Sequence, residues 1–468
     1  MRHFPDPRPK RPAELVSPAA MIRSGMCVGC GSCASGKPSA SMRWDKHGFL
    51  KPDGPSEWLE RPSPSLSLQC PFSPESANED EIAWERFSTA PNLDGRIGRF
   101  EAAYVGHATE SPYRLNGSSG GLTSWVAAEL LGTGAVDGVA HVVPTDPKSS
   151  GRHFAYRISR ALPQLMQGAK SRYYPVDLSS VLAEIRSRPG RYAVVGIPCF
   201  IKAIHLLRRI DPLIRERVTH TLGLFCGHMK SAAMVESFAW QLGTEIEKVR
   251  ALDYRLKDET RPANWYRAQL ELGETNVAED WWHLADGDWG AGFFQNPACN
   301  WCDDVVAETA DVSFGDAWVE PYSSDGRGTN VMIVRSQELH GMIEQARSAG
   351  RLQLELVDAD FIARTQAAGL RHRRDGLSYR LTWHRGGLVP RKRVTPAAKL
   401  PLRRKLVYRL RYAIAFWSHR IFALARTLGM PGLYLHWARA MLRLYQSVTW
   451  SRGRLGSLLD KLMPQPER

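Results

Sequence analysis

Apolar and polar positions first fall into a regular pattern near residue 100, where Phe100–Val105 reads as a short strand. Leu122, Val126 and Leu130 then recur at helical spacing, predicting a helix over Gly120–Leu131 that stops at Gly132 and Gly134. Val136–Val143 follows as a strand. The rhythm resumes with a strand at Tyr192–Val195, broken by Gly196 and Pro198, and a helix around Ile201–Arg209. A strand at Thr219–Phe225, a turn at Gly227, a helix near Ala232–Leu242 and a short strand at Val331–Val334 complete the pattern. Strands alternating with helices predict an α/β body, α+β overall once its flanking segments are counted. Four regions are expected: a loop-rich N-terminal module over 1–95, α/β segments over 96–185 and 186–388, and a helical tail over 389–468. The tail follows a glycine- and proline-bearing connection, Gly386–Pro390, and no internal repeat is visible.

Charge changes the picture of the tail. The chain carries +14 overall, but from Arg391 onward there are 17 Lys/Arg against two acids, Asp460 and Glu467. The first 390 residues hold 45 basic and 46 acidic side chains, so the excess belongs to the tail. This argues against a nucleic-acid enzyme with a basic groove and for a separate basic appendage. Arg403, Arg404, Lys405, Arg409, Arg411, Arg420 and Arg426 alternate there with Leu406, Tyr408, Ile414, Phe416, Trp417 and Phe422. Such helices can lie on an anionic membrane surface, or pack on the protein itself or on an acidic partner. Arg420 and Arg426 interrupt the long apolar stretch, so no span is expected. The start, Met1–Pro7, is charged and proline-rich, and no apolar segment suited to export follows it. A cytoplasmic protein, peripheral on the inner membrane face if the tail binds lipid, is the expectation.

Eight cysteines in such a chain read better as metal ligands or redox thiols than as disulfides. Cys27, Cys30 and Cys33 follow a strict C-x2-C-x2-C spacing, with Gly29, Gly31 and Ser32 leaving room for the backbone to wrap a cubane. Cys70-Pro71 supplies the Cys-Pro pair with which ferredoxin motifs end. A structural zinc site more often uses separated pairs. The other four, Cys199, Cys226, Cys299 and Cys302, contain only one recognisable spacing, Cys299-Asn-Trp-Cys302. A lone C-x2-C serves zinc, a redox pair or half of a cluster site. Cys199 and Cys226 each follow a predicted strand and would emerge at the carboxyl edge of a sheet; the other reading is a pair of buried small hydrophobes.

Arg114-Leu-Asn-Gly-Ser118-Ser119-Gly120-Gly121 runs straight into the helix at Leu122. Backbone N–H groups there, with serine hydroxyls and Arg114, can cradle a phosphate, although a capped helix start has the same composition. Lys170-Ser171-Arg172-Tyr173 is a second cationic stretch, suited to a diphosphate or to a solvated loop.

Together these blocks resemble the coenzyme F-420 hydrogenase/dehydrogenase beta-subunit family, which includes 7-hydroxymethyl chlorophyll a and ferredoxin-dependent divinyl chlorophyllide reductases. The resemblance spans roughly 20–380 and rests on Cys27–Cys33, Asp45-Lys-His-Gly48-Phe49, Ser118-Ser-Gly-Gly121, Lys170–Tyr173, Gly196-Ile-Pro198-Cys199, Leu224-Phe-Cys226, Cys299–Cys302 and Phe314-Gly-Asp316. Arg172 stands where the family has lysine, and Gly227-His228 where many members have His-Gly. The resemblance implies FAD at Ser118–Gly121 and Lys170–Arg172, and a second [4Fe–4S] cluster on Cys199, Cys226, Cys299 and Cys302. It further implies an oxidoreductase passing electrons between ferredoxin, another low-potential donor or a deazaflavin, the two clusters, FAD and a small organic substrate, a glycan-linked one included. A non-catalytic electron-transfer subunit of a larger complex is the alternative, and a zinc-stabilised module binding an acidic polymer is the reading outside redox chemistry. No catalytic acid is assigned; His228, Asp316 and Lys170 are candidates by location.

Overall fold

The computed structural model describes residues 14–383 and 387–463. Met1–Pro7, and Gly386 at the head of the expected connection, lie outside the described residues. Eight strands form one mixed sheet: β1 (Ala102–Ala108), β2 (Gly138–Pro144), β3 (Phe154–Ser159), β4 (Tyr192–Gly196), β5 (Val218–Leu224), β6 (Val312–Asp316), β7 (Asn330–Val334) and β8 (Leu352–Leu356). Their order is β8-β1-β7-β6-β5-β4-β2-β3. The four neighbours β6, β5, β4 and β2 are parallel. β3 closes one edge antiparallel to β2, while β7, β1 and β8 alternate in direction toward the other. Burial explains why some strands were legible: β4 and β7 are near-continuous apolar runs covered on both faces. β8, Leu-Gln-Leu-Glu-Leu, is an edge strand with exposed Glu355 and Leu356, and it escapes the sequence reading despite its apolar–polar alternation.

The parallel strands all end at one edge, and β1 ends there too. Three helices start from that edge. Helix α1 (Leu122–Gly132) begins after Gly121, whose φ of 80° and whose absent Cβ, which would lie 2.4 Å from the Tyr113 carbonyl carbon, admit only glycine. Helix α2 (Pro198–Ile210) starts with a proline in its first turn, so Cys199 lies inside the helix rather than in the loop before it. Helix α3 (Ala233–Gln241) follows the turn after β5.

The tail forms α4 (Leu402–Thr427), α5 (Pro431–Trp450) and α6 (Gly453–Leu462). It is not a separate appendage. Val407, Ile414 and Phe422 of α4 and Tyr434, Ala438 and Tyr445 of α5 belong to the largest core, together with Val28, Tyr156 and Phe200. Phe422 stacks on Trp240 at 4.4 Å between ring centroids, and the Phe294 N–H donates to Ser418 Oγ at 3.0 Å. The N-terminal module is docked in the same way: the Leu178 N–H donates to the Cys30 carbonyl at 2.9 Å and Asn296 Nδ2 to the Val28 carbonyl at 3.2 Å. The expected boundaries at 95 and 388 therefore do not separate hydrophobic cores. No helix among the described residues is long and apolar enough to cross a membrane.

Candidate functional site

All eight cysteines are free thiols, and the neighbours that act on Cys33 and on Cys199 sort them into two quartets. In the first, the Cys27–Cys33 loop turns through left-handed backbone at Gly29 (φ 82°) and Gly31 (φ 77°). A Cβ on Gly29 would lie 2.4 Å from the Leu50 carbonyl oxygen, and one on Gly31 3.0 Å from Asp177. Both glycines are thus required by the protein packed around the loop. Cys70 ends the short helix Pro64–Gln69, where its N–H donates to the Leu66 carbonyl at 2.9 Å. Burial pushes the Cys33 thiol well up, and Cys30, Cys27 and Cys70 add to the shift, so all four sulfurs feel one another. Burial likewise holds Cys30 at about 11 and Cys70 at about 12.

The second quartet joins Cys199 at the start of α2, Cys226 just past β5, and Cys299 with Cys302 from the turn Pro297–Trp301. Burial raises the Cys199 thiol, followed by Cys302, Cys226 and Cys299, and then by Cys30 of the other quartet. The two sets are therefore neighbours. The Met229 N–H donates to Cys299 Sγ at 3.3 Å. Arg373, only 2% exposed, donates to the Cys226 and Gly227 carbonyls at 3.3 and 2.5 Å, while its Nε and Nη1 have no partner. Burial opposes its charge, yet Cys302, Cys226, Cys299 and Cys199 outweigh that and hold the guanidinium above its ordinary value. No carboxylate pairs with Arg373 among the described residues. The residues after Cys302 are tied down from the tail: Lys392 reaches the fully buried Asp303 at 3.3 Å, and Arg393 reaches Glu308 at 2.6 Å and Asp303 at 3.4 Å.

No three cysteine sulfurs lie within 4.8 Å of one another among the described residues. Four thiolates on one zinc ion sit about 3.8 Å apart, given Zn–S bonds of about 2.3 Å. Neither quartet is drawn in to a single-ion spacing. Glu279, Asp280 and His283 do come that close at the surface, but Arg261 takes both Asp280 oxygens.

Beside the second quartet, over the carboxyl ends of the parallel strands, lies a cavity of about 760 Å³. This is the edge where open α/β sheets collect ligands, and the size suits a cofactor. Its walls include Ser118, Ser119, Gly121, Lys170, Ser171 and Arg172, strand-end residues Gly196, Cys226 and Asp316, and an aromatic wall of Tyr156, Tyr173, Tyr266, Trp281, Trp289 and Trp318. The two sequence segments meet directly, since the Ser171 N–H donates to Ser118 Oγ at 2.9 Å. Ser119 Oγ donates to the Thr329 carbonyl at 2.9 Å, and Lys170 pairs with Asp253 at 2.8 Å. Arg172 lies over the Phe154 ring, with its buried Nε unpartnered. Two expected residues stand back from the cavity. Arg114 turns to Asp325 and the Gly328 carbonyl, at 3.0 and 2.9 Å. Gly120 faces protein, where a Cβ would lie 2.8 Å from the Gly106 carbonyl oxygen and 2.9 Å from the Asn330 nitrogen.

Among the lining groups, His228 and Asp316 are singled out in the sequence, but Arg255 and Lys230 are not. Arg255 forms a buried pair with Asp316 at 3.0 Å and lies over the Tyr266 ring. Lys230 donates to the Phe293 carbonyl at 2.6 Å and sits 4.8 Å from the Trp289 ring centroid; burial pushes its ammonium down to about 7. His228 stacks on the same ring at 4.4 Å, its Nε2 buried without a partner, and burial lowers its basicity strongly. Lys230 could have been suspected from its place four positions after Cys226. Nothing local marks Arg255.

Comparison with known proteins gives a consistent set of likenesses. Two family models described as coenzyme F420 hydrogenase/dehydrogenase, beta subunit, match the chain, the N-terminal one over residues 103–183 and the C-terminal one over 190–360. Together the two cover more than half of its length. The chain is 22% identical over 332 residues to the coenzyme F420-dependent sulfite reductase of Methanocaldococcus jannaschii, a match that takes in 68% of this chain and 45% of that protein. The chain thus spans less than half the length of this relative. A chain in the structure of the F420-reducing [NiFe] hydrogenase complex from Methanosarcina barkeri aligns with a TM-score of 0.49 and 15% identity, over 64% of this chain and 99% of that one.

Proposed function

The chain belongs to the coenzyme F420 hydrogenase/dehydrogenase beta-subunit family, and from that premise we propose that it is an iron–sulfur flavoprotein oxidoreductase. Cys27, Cys30, Cys33 and Cys70 would hold one [4Fe–4S] cluster, and Cys199, Cys226, Cys299 and Cys302 a second. The observation that carries this reading is Arg373. A buried guanidinium without a counter-ion is costly, and the residues around this one are four thiols whose ionised, cluster-bearing form supplies the missing negative charge. Raised thiols fit as well, because a metal centre is what makes buried thiolates tenable.

The cavity suits FAD. Ser118, Ser119 and Gly121 at the start of α1, with Lys170, Ser171 and Arg172, form the polar, cationic side expected to take a diphosphate. The aromatic wall offers faces for a flat ring system. A flavin bound there supplies the exchange between single electrons and electron pairs. The protein's own part is to orient it, to exclude water with Trp281, Trp289 and Trp318, and to place Lys230 and His228 as polar groups on a mostly apolar wall. The electron donor is a low-potential carrier such as ferredoxin or a deazaflavin, and the electron acceptor a small organic molecule.

A second reading, an electron-transfer subunit working for a partner chain, is favoured by the match to less than half of a longer reductase. Anaerobic purification tests the first claim: about eight iron, eight acid-labile sulfide and one FAD per chain are expected, and zinc without sulfide would overturn it. Reduction of the bound flavin by a chemical donor without turnover of any small acceptor would favour the subunit reading.

A further inference from the structure

One face of the α4–α5 hairpin is fixed in the core, but the opposite face is open and has an unusual composition. On α4, Leu402, Leu406, Phe416 and Leu424 fall on one outward stripe at spacings of three, four and multiples of these, with Arg409 and Arg420 between them. Leu402 is 66% exposed and Leu424 51%. Trp417 flanks the stripe, half exposed, and the Arg420 guanidinium lies 3.4 Å from the Phe416 ring centroid. At the turn between the helices Leu428, Met430 and Leu433 are all exposed. Neither helix contains an acidic residue.

We infer that this outer face of the hairpin docks on an anionic lipid bilayer, lying along the boundary between headgroups and acyl chains. The argument is one of complementarity. Arginine beside aromatics also occurs in protein interfaces, but a protein partner would have to offset a two-helix face that carries no acid of its own. Here two arginines about three turns apart sit inside the apolar stripe, Arg409 with its Nε on the Tyr379 hydroxyl at 2.9 Å and Arg420 with one Nη on the Phe416 carbonyl at 2.8 Å, their other donors left for solvent or phosphate. A surface that is apolar and anionic at the same depth is what such an alternation fits, with leucines and aromatics entering the boundary and guanidiniums meeting phosphate. A second copy is opposed by charge, since the same cationic face would meet itself. The docking is peripheral, because neither helix can cross. It is independent of what the quartets and the cavity hold.

The test uses the full-length chain, because Arg391–Arg393 are anchored in the body and truncation at the tail would break it. Sedimentation is measured with phosphatidylcholine vesicles and with vesicles in which roughly one third of the lipid is phosphatidylglycerol. Binding is expected to the anionic vesicles only and to weaken with salt. Arg409→Gln with Arg420→Gln should lower it on the order of tenfold, and Phe416→Glu with Leu424→Glu should abolish it, both with iron and flavin contents unchanged. Absence of binding at low salt overturns the inference. So does binding indifferent to the Phe416/Leu424 pair, or a concentration-dependent dimer that the same pair dissolves.

Discussion

Three thiols of the first quartet come from one loop, Cys27–Cys33, and only Cys70 arrives from elsewhere. The second quartet takes Cys199 from the start of a helix, Cys226 from the end of a strand, and Cys299 and Cys302 from one turn. The first is shaped by local backbone, with two left-handed glycines pressed against Leu50 and Asp177. The second is shaped by charge brought from far along the chain: Arg373 among the thiols, Lys392 and Arg393 on the carboxylates beside Cys302. A site written into a short loop can be recognised by spacing. A site assembled by the fold depends on everything that holds the fold.

The largest expected break of this comparison is Arg393→Ala. Arg393 is buried with Glu308 and the fully buried Asp303, which keep only Arg374 and Lys392 when it is removed, so the buried network is left one cation short at a cost on the order of 3 kcal/mol. Denaturant unfolding should show that loss, and iron should go first from the second quartet. A stable variant with full iron would mean the tail is not needed there. Next, Cys30→Ser and Cys302→Ser should each remove about half the iron, with flavin retained in Cys30→Ser. The Cys302 variant should also melt lower, since Arg373 loses part of its anionic surroundings; equal melting temperatures would erase the asymmetry. Arg373→Met should make one cluster harder to reduce by on the order of 60 mV, a tenfold change in the one-electron equilibrium. The other cluster serves as internal reference in an electron paramagnetic resonance titration, and a common shift would argue against a local counter-ion. The smallest effect is expected away from both quartets. Lys170→Ala should raise the dissociation constant for FAD about tenfold, or about 1.4 kcal/mol, in a fluorescence titration, without touching iron. Gly120→Asp is a poorer probe, because its side chain would strike Gly106 and Asn330 before reaching the cavity.

Legibility followed the range of the interactions. Strands β2, β4 and β5 could be read because they are apolar runs bounded by turn residues. β6, Val-Ser-Phe-Gly-Asp, could not, since pairing between β5 and β7 rather than its own composition makes it a strand. The cysteines were visible as residues, and so were Ser118 and Lys170. Arg373 was not: Leu370-Arg-His-Arg-Arg374 reads as a charged surface turn, and only packing of the helix Ala367–Arg373 buries it. The tail misled in one respect. Apolar residues at helical spacing show that a face is covered but not by what, and here one face of α4 is covered by the protein core while the other stays open.

The anchoring of Arg391–Arg393 beside the second quartet also sets an order of manufacture. Chains emerge from the ribosome at about 5–20 residues per second and fold N-terminal parts first. All four thiols of the first quartet, and the Asp177–Leu178 segment that braces their loop, are out before half of the chain has been made. The second quartet has its sulfurs once Cys302 emerges, but Glu308 waits for Arg374 and Asp303 for Lys392 and Arg393. On the proposed reading, metal loading of the two quartets would be staggered, the second following once the tail has been made.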